Sequence, residues 1–206
     1  MIIGLNGLIG SGKCEVSKYL QTKYNFKHIS FADSLKSSVA SVFGWPYEML
    51  LGHTEESRKW RESIDSWWAK RLNIPNLTPR WVLQYWGTDL CRCHFHQDIW
   101  VASLERKLIE NQNNIVIDDC RFINEMNAIQ NQNGILIRIN RGALPEWYAD
   151  ALSELRSPRM IMEILHPDIH ISEWGWCGQK FNYEIDNNGT IDELHAKIDL
   201  LISPLL

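Results

Sequence analysis

The sequence has few cysteines, no long apolar run and no strong charge of either sign. No stretch approaches the roughly 20 apolar residues of a membrane span, and no charged segment precedes an apolar one at the N-terminus, so nothing indicates membrane insertion or secretion. Five scattered cysteines among 206 residues are too few for a disulfide framework, and we expect free thiols. A net charge of −4 argues against sequence-independent binding to the backbone of nucleic acids. We therefore expect one cytoplasmic domain without nucleic-acid or membrane partners.

The stretch from Gly7 to Lys13 fits the spacing G-x-x-x-x-G-K of a phosphate-binding loop, the P-loop. In such a loop, glycines let consecutive backbone N–H groups converge on phosphate oxygens, while the lysine reaches the outer phosphates. The apolar run from 1 to 5 predicts a buried strand before the loop, and residues 14–24 carry apolar residues at helical spacing after it. The expected nucleotide contacts are Gly7, Gly10, Ser11, Gly12, Lys13 and Cys14.

Cys14 and Glu15 depart from the common continuation of this motif. A Ser or Thr hydroxyl at position 14 would normally contact Mg²⁺. Two interpretations stay open at this point: another residue holds the metal, or the loop binds nucleotide without turning it over.

A second phosphate-handling region is predicted around Asp33. Residues 26–31 predict a strand, followed by a helix that Asp33 or Ser34 can cap. A helix N-terminus with Lys36 one turn inside can receive an anionic group, while Asp33 can orient or deprotonate an acceptor. The alternative is that Asp33 is only a helix cap.

The segment of about residues 37–100 is mostly helical by pattern and too long for a simple crossover between strands, which predicts an inserted lobe for a second substrate. Thr78 and Pro79 mark a helix start. Arg80 and Gln84 lie four positions apart and share a face of that helix. An Arg guanidinium can bind a phosphate through two nitrogens, and a Gln amide can form hydrogen bonds with the edge of a nucleobase. A solvated surface pair is the alternative.

The tryptophans of the whole chain and a cluster of metal-ligating residues in this segment have ordinary explanations. Ten tryptophans could form a base-stacking site, but core burial is the commoner reason for a tryptophan. Four potential zinc ligands crowd into six residues, which does not suit one tetrahedral site, so no zinc centre is predicted; they are Cys91, Cys93, His94 and His96.

The apolar run from 115 to 117 predicts a strand that ends in charged residues. In a P-loop protein, an acidic residue there can hold Mg²⁺ directly or through water, and Asp119 is the first choice. Arg121 can clamp a transferring or acceptor phosphate. An Asp–Arg pair that merely stabilises the strand end is the alternative.

The rest of the chain predicts further strands and helices around a lid. A short helix over 124–132, stopped at Gly134, precedes a strand over 135–139. Residues 142–176 are expected to be an irregular, mobile lid with Arg141 at its hinge. A strand over 181–185, a turn over 186–190 and a closing helix over 191–201 complete the chain.

Five blocks of the sequence resemble bacteriophage deoxynucleoside monophosphate kinases, relatives of dephospho-CoA kinase and phosphomevalonate kinase among the P-loop kinases. The blocks span nearly the whole chain: Gly-Ser-Gly-Lys at 10–13, Phe-Ala-Asp-Ser-Leu-Lys at 31–36, Thr-Pro-Arg-Trp-Val-Leu-Gln-Tyr-Trp-Gly-Thr at 78–88, Asp-Cys-Arg-Phe-Ile-Asn-Glu at 119–125 and Ile-Asp-Asn-Asn-Gly-Thr at 185–190. Five blocks in this order are more specific than the P-loop alone. Members often have Asp-Thr where this chain has Cys14-Glu15.

The resemblance implies one P-loop kinase domain over residues 1–206. It would be an α/β fold with a mostly parallel five-stranded sheet flanked by helices, a helical acceptor-binding insert at about 37–100 and a lid at about 142–176. ATP with Mg²⁺ would bind the loop, with its adenine near Asn187, Gly189 and Thr190. The acceptor deoxynucleotide would contact Asp33, Lys36, Arg80, Gln84, Trp86 and Arg121.

The expected reaction is phosphoryl transfer from ATP to a deoxynucleoside 5′-monophosphate. Lys13, Arg121 and Arg141 would stabilise the transferred group, Asp119 would anchor Mg²⁺, and Asp33 would position the acceptor. Two alternatives stay open: a kinase of another small phosphorylated metabolite, and a nucleotide-binding module without catalysis. The accepted bases, the sugar preference and a homodimer are also left open, and a viral protein would work in the host cytoplasm.

Overall fold

The structure is a computed structural model that describes residues 1–109, 113–157 and 159–206. The chain forms two compact units. Residues 1–30 and 107–206 make up the first, and residues 31–106 make up the second. We call them the sheet unit and the helical unit. No helix in the described part of the chain is long and apolar enough to cross a membrane.

The sheet unit is built on five strands, β1 (Ile2–Asn6), β2 (Lys27–His28), β3 (Ile115–Ile117), β4 (Ile135–Asn140) and β5 (Tyr183–Asp186). They pair in the order β2-β3-β1-β4-β5, and every pairing is parallel. Runs rich in Ile, Val and Leu favour this arrangement because strands of a parallel sheet are buried on both faces. The predicted α/β class with a five-stranded sheet is confirmed, and in the described residues the sheet is wholly parallel.

The α-helices in chain order are α1 (Lys13–Tyr24), α2 (Asp33–Phe43), α3 (Tyr47–Leu51), α4 (Glu55–Glu62), α5 (Ser66–Leu72), α6 (Pro79–Gln84), α7 (Ile99–Ile109), α8 (Ile123–Asn131), α9 (Tyr148–Arg156), α10 (Ile161–Leu165) and α11 (Ile191–Ile202). A π-helix over Tyr85–Phe95 follows α6 directly. Short 3-10 turns cover Ile171–Glu173 and Ser203–Leu205.

The core of the sheet unit lies between the sheet and the two helices α1 and α11. Val16 and Leu20 of α1 and Leu194 and Ile198 of α11 pack on alternate residues of the central strands, including Ile3 of β1. Helix α8 packs against β1 and β4. Since α1 starts at the end of β1, this packing fixes the loop between them at the carboxyl edge of the sheet.

The helical unit has an aromatic core. Trp45 and Trp100 are buried with Leu50, Leu77 and Val82. Three more tryptophans, Trp60, Trp68 and Trp86, pack against this cluster. Indole N–H groups find partners there: Trp45 donates to Asp65 at 2.8 Å and Trp100 to the Gly87 carbonyl at 2.8 Å. Core burial therefore explains five of the tryptophans, whereas Trp67 and Trp81 are exposed.

Two predicted boundaries in the first half of the chain are wrong. The strand predicted over 26–31 is shorter in the structure, where β2 covers two residues, Lys27 and His28, that pair with Ile115 and Val116 of β3. Helix α2 begins with Asp33 as its first residue and Ala32 as its cap, so neither Asp33 nor Ser34 is the capping residue. The Ser34 hydroxyl instead forms a hydrogen bond with Ser103 Oγ at 2.7 Å.

Two further predictions fail in the second half. Asn133, not Gly134, adopts the left-handed conformation after α8, with φ of 55°. Gly134 is required for another reason, since a Cβ there would lie 2.7 Å from the Ile129 carbonyl oxygen. The segment 142–176 is not irregular, because it contains α9 and α10. Pro145 precedes α9 and Pro167 follows α10, at positions outside the helices. The third proline of the segment, at position 158, lies outside the described residues.

Candidate functional site

The loop between β1 and α1 has backbone angles that ordinary side chains rarely adopt. Gly7, Gly10 and Gly12 have φ of 148°, 79° and 104°. A Cβ on Gly7 would collide with the Ile139 carbonyl oxygen, and one on Gly12 with the side-chain amide of Asn187. Gly12 also serves as the cap of α1, without a side chain to pair with the first helical N–H groups. An uncapped helix N-terminus behind a glycine loop is a site for phosphate oxygens.

Lys13 is folded back over this loop. Its Nζ donates hydrogen bonds to the carbonyl oxygens of Gly7 at 2.7 Å and Leu8 at 2.9 Å. Burial and, to a smaller extent, the charge of Arg121 together lower the pKa of Lys13 from 10.5 to about 8. Phosphate oxygens can replace the two carbonyl partners and restore the charged form.

Two buried asparagine side chains form hydrogen bonds in and beside the loop. Asn187 Nδ2 donates to the Ser11 carbonyl at 2.8 Å, and Asn6 Nδ2 donates to the Cys120 carbonyl at 2.8 Å. In the described residues, Asn6 Oδ1 and Ser11 Oγ are buried without a hydrogen-bond partner. Unpaired buried acceptors and hydroxyls are costly, and they commonly mark a place for water or a ligand. The sequence analysis missed Asn6, although a polar residue ending an apolar strand was a signal.

The acidic residues after β3 each meet a partner from the strand β2 region. Asp118 Oδ1 lies 2.8 Å from His28 Nε2, and Asp119 Oδ2 accepts the Ser30 hydroxyl at 2.5 Å. No group of three or more His, Cys, Asp or Glu side chains within residues 1–109, 113–157 and 159–206 is arranged to hold a metal ion. A magnesium ion bound to phosphates needs only one or two protein carboxylates, and Asp119 can supply one.

Both the backbone and the guanidinium of Arg121 have carboxylate partners. Its backbone N–H donates to Glu125 Oε2 at 2.7 Å, and Glu125 is only 2% exposed. Its guanidinium Nη1 lies 2.6 Å from Glu173 Oε1. Glu173 comes from the predicted lid, and the sequence analysis did not single it out. The hydrogen-bonded partner of the Arg121 side chain thus comes from the predicted lid segment, while Asp119, the strand-end partner that the sequence left open, acts on Arg121 through its charge.

Arg141 lines a cavity at the carboxyl ends of β4 and β5. The cavity measures about 270 Å³ and is lined by Leu8, Arg138, Ile139, Asn140, Arg141, Gly142, Ala143, Leu144 and Glu184. Asn140 donates to Glu184 at 2.9 Å across it. The backbone N–H of Gly142 donates to Asn188 Oδ1 at 2.7 Å, which ties the predicted hinge to the turn after β5.

The three residues predicted near adenine differ in their surroundings. Asn187 is buried and bonded to the loop. Thr190 caps α11: its hydroxyl accepts from Glu193 N at 3.3 Å, while its own N–H donates to the Glu193 carboxylate at 2.8 Å. Gly189 is exposed, and a Cβ there would collide with the same carboxylate.

The predicted acceptor residues other than Arg121 lie in the helical unit. Asp33 and Lys36 occupy the first turn of α2. Arg80 and Gln84 are one turn apart on α6, and Arg80 Nη1 forms an ion pair with Glu62 at 2.9 Å. Trp86 is half-buried and meets Phe43 edge-on with ring centroids 6.0 Å apart. Thr78 accepts the N–H of Trp81 at 3.1 Å, so the predicted start of this helix is confirmed.

Comparison with known proteins gives a relative that matches nearly the whole chain. No protein-family profile matches the chain. A protein of Acanthamoeba polyphaga mimivirus, assigned by its name to the deoxynucleotide monophosphate kinases, is 30% identical over 214 residues, covering 96% of this chain and 94% of that protein.

Solved structures give weaker matches. The shikimate kinase of Aquifex aeolicus is 14% identical with a TM-score of 0.47, covering 99% of this chain and 97% of that one. The dephospho-CoA kinase of Campylobacter jejuni is 15% identical with a TM-score of 0.44, covering 98% and 96%. At these scores the assignment of the fold rests on the strand order and the P-loop of this chain itself.

Proposed function

Since this chain belongs to the deoxynucleotide monophosphate kinase family, we propose that it phosphorylates a deoxynucleoside 5′-monophosphate with ATP. A phosphate oxygen of the acceptor attacks the γ-phosphorus of ATP, and the bond from that phosphorus to the β–γ bridging oxygen breaks. The products are ADP and the deoxynucleoside diphosphate. The observation that carries the proposal is the glycine loop with Lys13 at its end, in a chain related over nearly its whole length to one named for this activity.

The sheet unit would bind the donor. Backbone N–H groups of the loop and of the start of α1 would receive the β- and γ-phosphates, with Lys13 leaving its two carbonyl partners to join them. Arg121 would neutralise charge that spreads over the transferred group, and Arg141 would do so from the cavity at the hinge. Adenine would lie towards the turn of Asn187 to Thr190, where Asn187 couples that turn to the loop.

We assign Mg²⁺ to Asp119. A carboxylate and the Ser30 hydroxyl beside it are oxygen ligands, the type that Mg²⁺ prefers, so these side chains fit the ion. When bound, the ion would neutralise part of the phosphate charge. This assignment makes a hydroxyl at position 14 unnecessary, so Cys14 need not imply an inactive protein.

The helical unit would bind the acceptor. Lys36 and Arg80 are the cations proposed for its phosphate, Gln84 for its base edge and Trp86 for the base ring. The second pKa of a phosphate monoester is about 6, so the acceptor is already largely ionised near neutral pH. A strong base is then unnecessary, and Asp33 would position the acceptor rather than deprotonate it.

An assay of ADP formation against a panel of ribo- and deoxynucleoside monophosphates tests the reaction. We expect at least one deoxynucleoside monophosphate to be phosphorylated well above the rate of ATP hydrolysis. Binding of ATP without phosphorylation of any monophosphate would favour a non-catalytic module, the reading that exposed Cys14 suggests. A replacement of Gln84 by Leu should change the ranking among bases, whereas a kinase of another metabolite would be indifferent to it.

Arg80 can be tested with its ion-pair partner as the control. Arg80→Ala and Glu62→Ala both remove an exposed pair, which is worth only about 0–1 kcal/mol to stability. Only the first removes a candidate phosphate ligand, so we expect kcat/KM for the acceptor to fall roughly 10- to 100-fold in Arg80→Ala. Glu62→Ala should keep kcat/KM within about twofold. Equal losses in the two variants would remove Arg80 from the acceptor site.

A further inference from the structure

Glu173 contacts the arginine proposed to act on the transferred phosphate. Its Oε1 accepts a hydrogen bond from Nη1 of Arg121 at 2.6 Å. The Glu173 side chain is 16% exposed and that of Arg121 is 36% exposed. The Ser172 carbonyl lies 3.5 Å from the same nitrogen, at the limit of a hydrogen bond. The end of the predicted lid is therefore attached to Arg121 through one guanidinium nitrogen.

The turn that carries Glu173 is held by its own hydrogen bonds. The Glu173 N–H donates to the His170 carbonyl at 2.9 Å, and the Trp176 indole N–H donates to the Glu173 carbonyl at 2.9 Å. Trp176 is 2% exposed. The backbone of Glu173 is thus bonded on both sides, and its carboxylate is held by the hydrogen bond to Arg121.

One side of the guanidinium is left for a ligand. An arginine side chain has N–H donors on Nε and on both Nη atoms. Within the part of the chain that the structure describes, the side-chain hydrogen bonds of Arg121 all leave from Nη1. The donors on Nε and Nη2 therefore suit a phosphate, which an arginine binds through two nitrogens.

Arg121 is close enough to Lys13 for the two positive charges to act on one another. The charge of Arg121 lowers the pKa of Lys13, whereas the charge of Glu173 raises it. Two neighbouring cations repel one another, and a long flexible arginine would turn towards solvent if nothing restrained it. Burial alone would lower the pKa of Arg121, but the charges of Glu173, Asp119 and Glu125 raise it, and Glu173 also accepts a hydrogen bond from Nη1.

From these contacts we infer that Glu173 is a positioning residue. It fixes Nη1 of Arg121 beside the phosphate-binding loop and leaves Nε and Nη2 to the transferred phosphate. The inference rests on the proposed role of Arg121 in phosphoryl transfer. The lid segment would then contribute a rigid contact to the donor site, in addition to any closure over it.

Glu173→Gln and Glu173→Ala separate positioning from charge. Both remove the negative charge, so any change in anion binding caused by charge alone is common to the two. Only glutamine keeps a side-chain oxygen that can accept from Nη1. We expect kcat to be roughly tenfold lower in the Ala variant than in the Gln variant, because small misplacements of a catalytic group are costly. Glu163→Ala, an exposed residue of α10, is the matched control and should leave kcat unchanged.

The same pair in an Arg121→Ala background tests whether Glu173 acts through Arg121. The difference between Ala and Gln at position 173 should disappear there. A difference that persists would mean that Glu173 only supports the turn, and equal behaviour of Ala and Gln in the native background would mean that only its charge matters. Either result overturns the inference.

Binding of inorganic tripolyphosphate by calorimetry gives a second readout that needs no turnover. We expect weaker binding in Glu173→Ala than in Glu173→Gln, and no difference between them when Arg121 is Ala. If the wild-type protein phosphorylates no monophosphate, the proposed function fails, yet this arm still decides the role of Glu173. Identical affinities in the native background would contradict it.

Discussion

The sheet unit and the helical unit differ in the protein groups that form their candidate binding sites. In the sheet unit, the candidate phosphate site is made of backbone: the glycine loop and the start of α1, with the Asn187 side-chain amide bonded to the loop. In the helical unit, the candidate ligands are side chains on helix surfaces over an aromatic core. Arg80 there is already paired with Glu62, and Trp86 packs against the core.

This difference predicts opposite sensitivities. A site formed by backbone groups should tolerate substitution of the side chains around it, but it depends on the few charged side chains within it. In the sheet unit, substitution of a single charged residue should therefore have the largest effect on activity. Side chains on helix surfaces depend on the core that places the helices, so truncation of that core should matter most in the helical unit. Three experiments, from the largest expected effect to the smallest, test this contrast.

Lys13→Ala should remove nearly all phosphoryl transfer. We expect kcat/KM to fall by about 10³-fold or more, because a preorganised cation at the transferring phosphates is lost. The fold should survive, since within the described residues the side chain of Lys13 bonds to two carbonyl groups of the loop and to nothing else. Lys18→Ala, an exposed lysine on the same helix, is the control and should be active. Activity of Lys13→Ala near that of the wild type would remove the loop from the donor site.

Trp45→Ala should destabilise the helical unit strongly. Trp45 is 7% exposed, and its truncation should lower the free energy of unfolding by about 3–5 kcal/mol. Trp67→Ala, at a site that is 63% exposed, should cost less than about 1 kcal/mol. Denaturant unfolding measures both. At temperatures where Trp45→Ala stays folded, binding of tripolyphosphate should match the wild type; weakened binding would show that the contrast between the units is false.

Rising pH should weaken phosphate binding through Lys13. Burial, followed by the charge of Arg121, lowers the pKa of Lys13 to about 8. If only the charged lysine binds, the affinity for tripolyphosphate should fall roughly tenfold from pH 7 to pH 9, since a group with pKa 8 is then about one-tenth protonated. In Lys13→Arg this decline should be absent because the guanidinium stays charged. Equal declines in both proteins would assign the effect to another group.

The effect of this lysine on stability runs the other way. Between pH 8 and 10.5, the folded state has released the Lys13 proton while the unfolded state still holds it. The unfolded state then binds more protons, so the contribution of Lys13 to the free energy of unfolding rises with pH in that window. Opposite slopes for stability and for phosphate binding would identify Lys13 as the titrating residue.

Local patterns accounted for the loop and for most helices. The P-loop spacing lies within seven residues, and each of its glycines meets a local backbone requirement. The start of α6 followed from Thr78 and Pro79 for the same reason. Patterns failed where pairing with a distant strand decided the outcome, as in β2, where two residues of the predicted six pair with β3.

The sequence by itself determined a strand, a glycine loop ending in Lys13 and a helix, because the geometry of this candidate phosphate site depends on neighbouring residues. Only the tertiary structure decided which distant groups complete it. Glu173 meets Arg121 across 52 positions of the chain, and Asn187 meets Ser11 across 176. Such pairs depend on the order of parallel strands and on the packing of the turn around Trp176, and no local spacing encodes either.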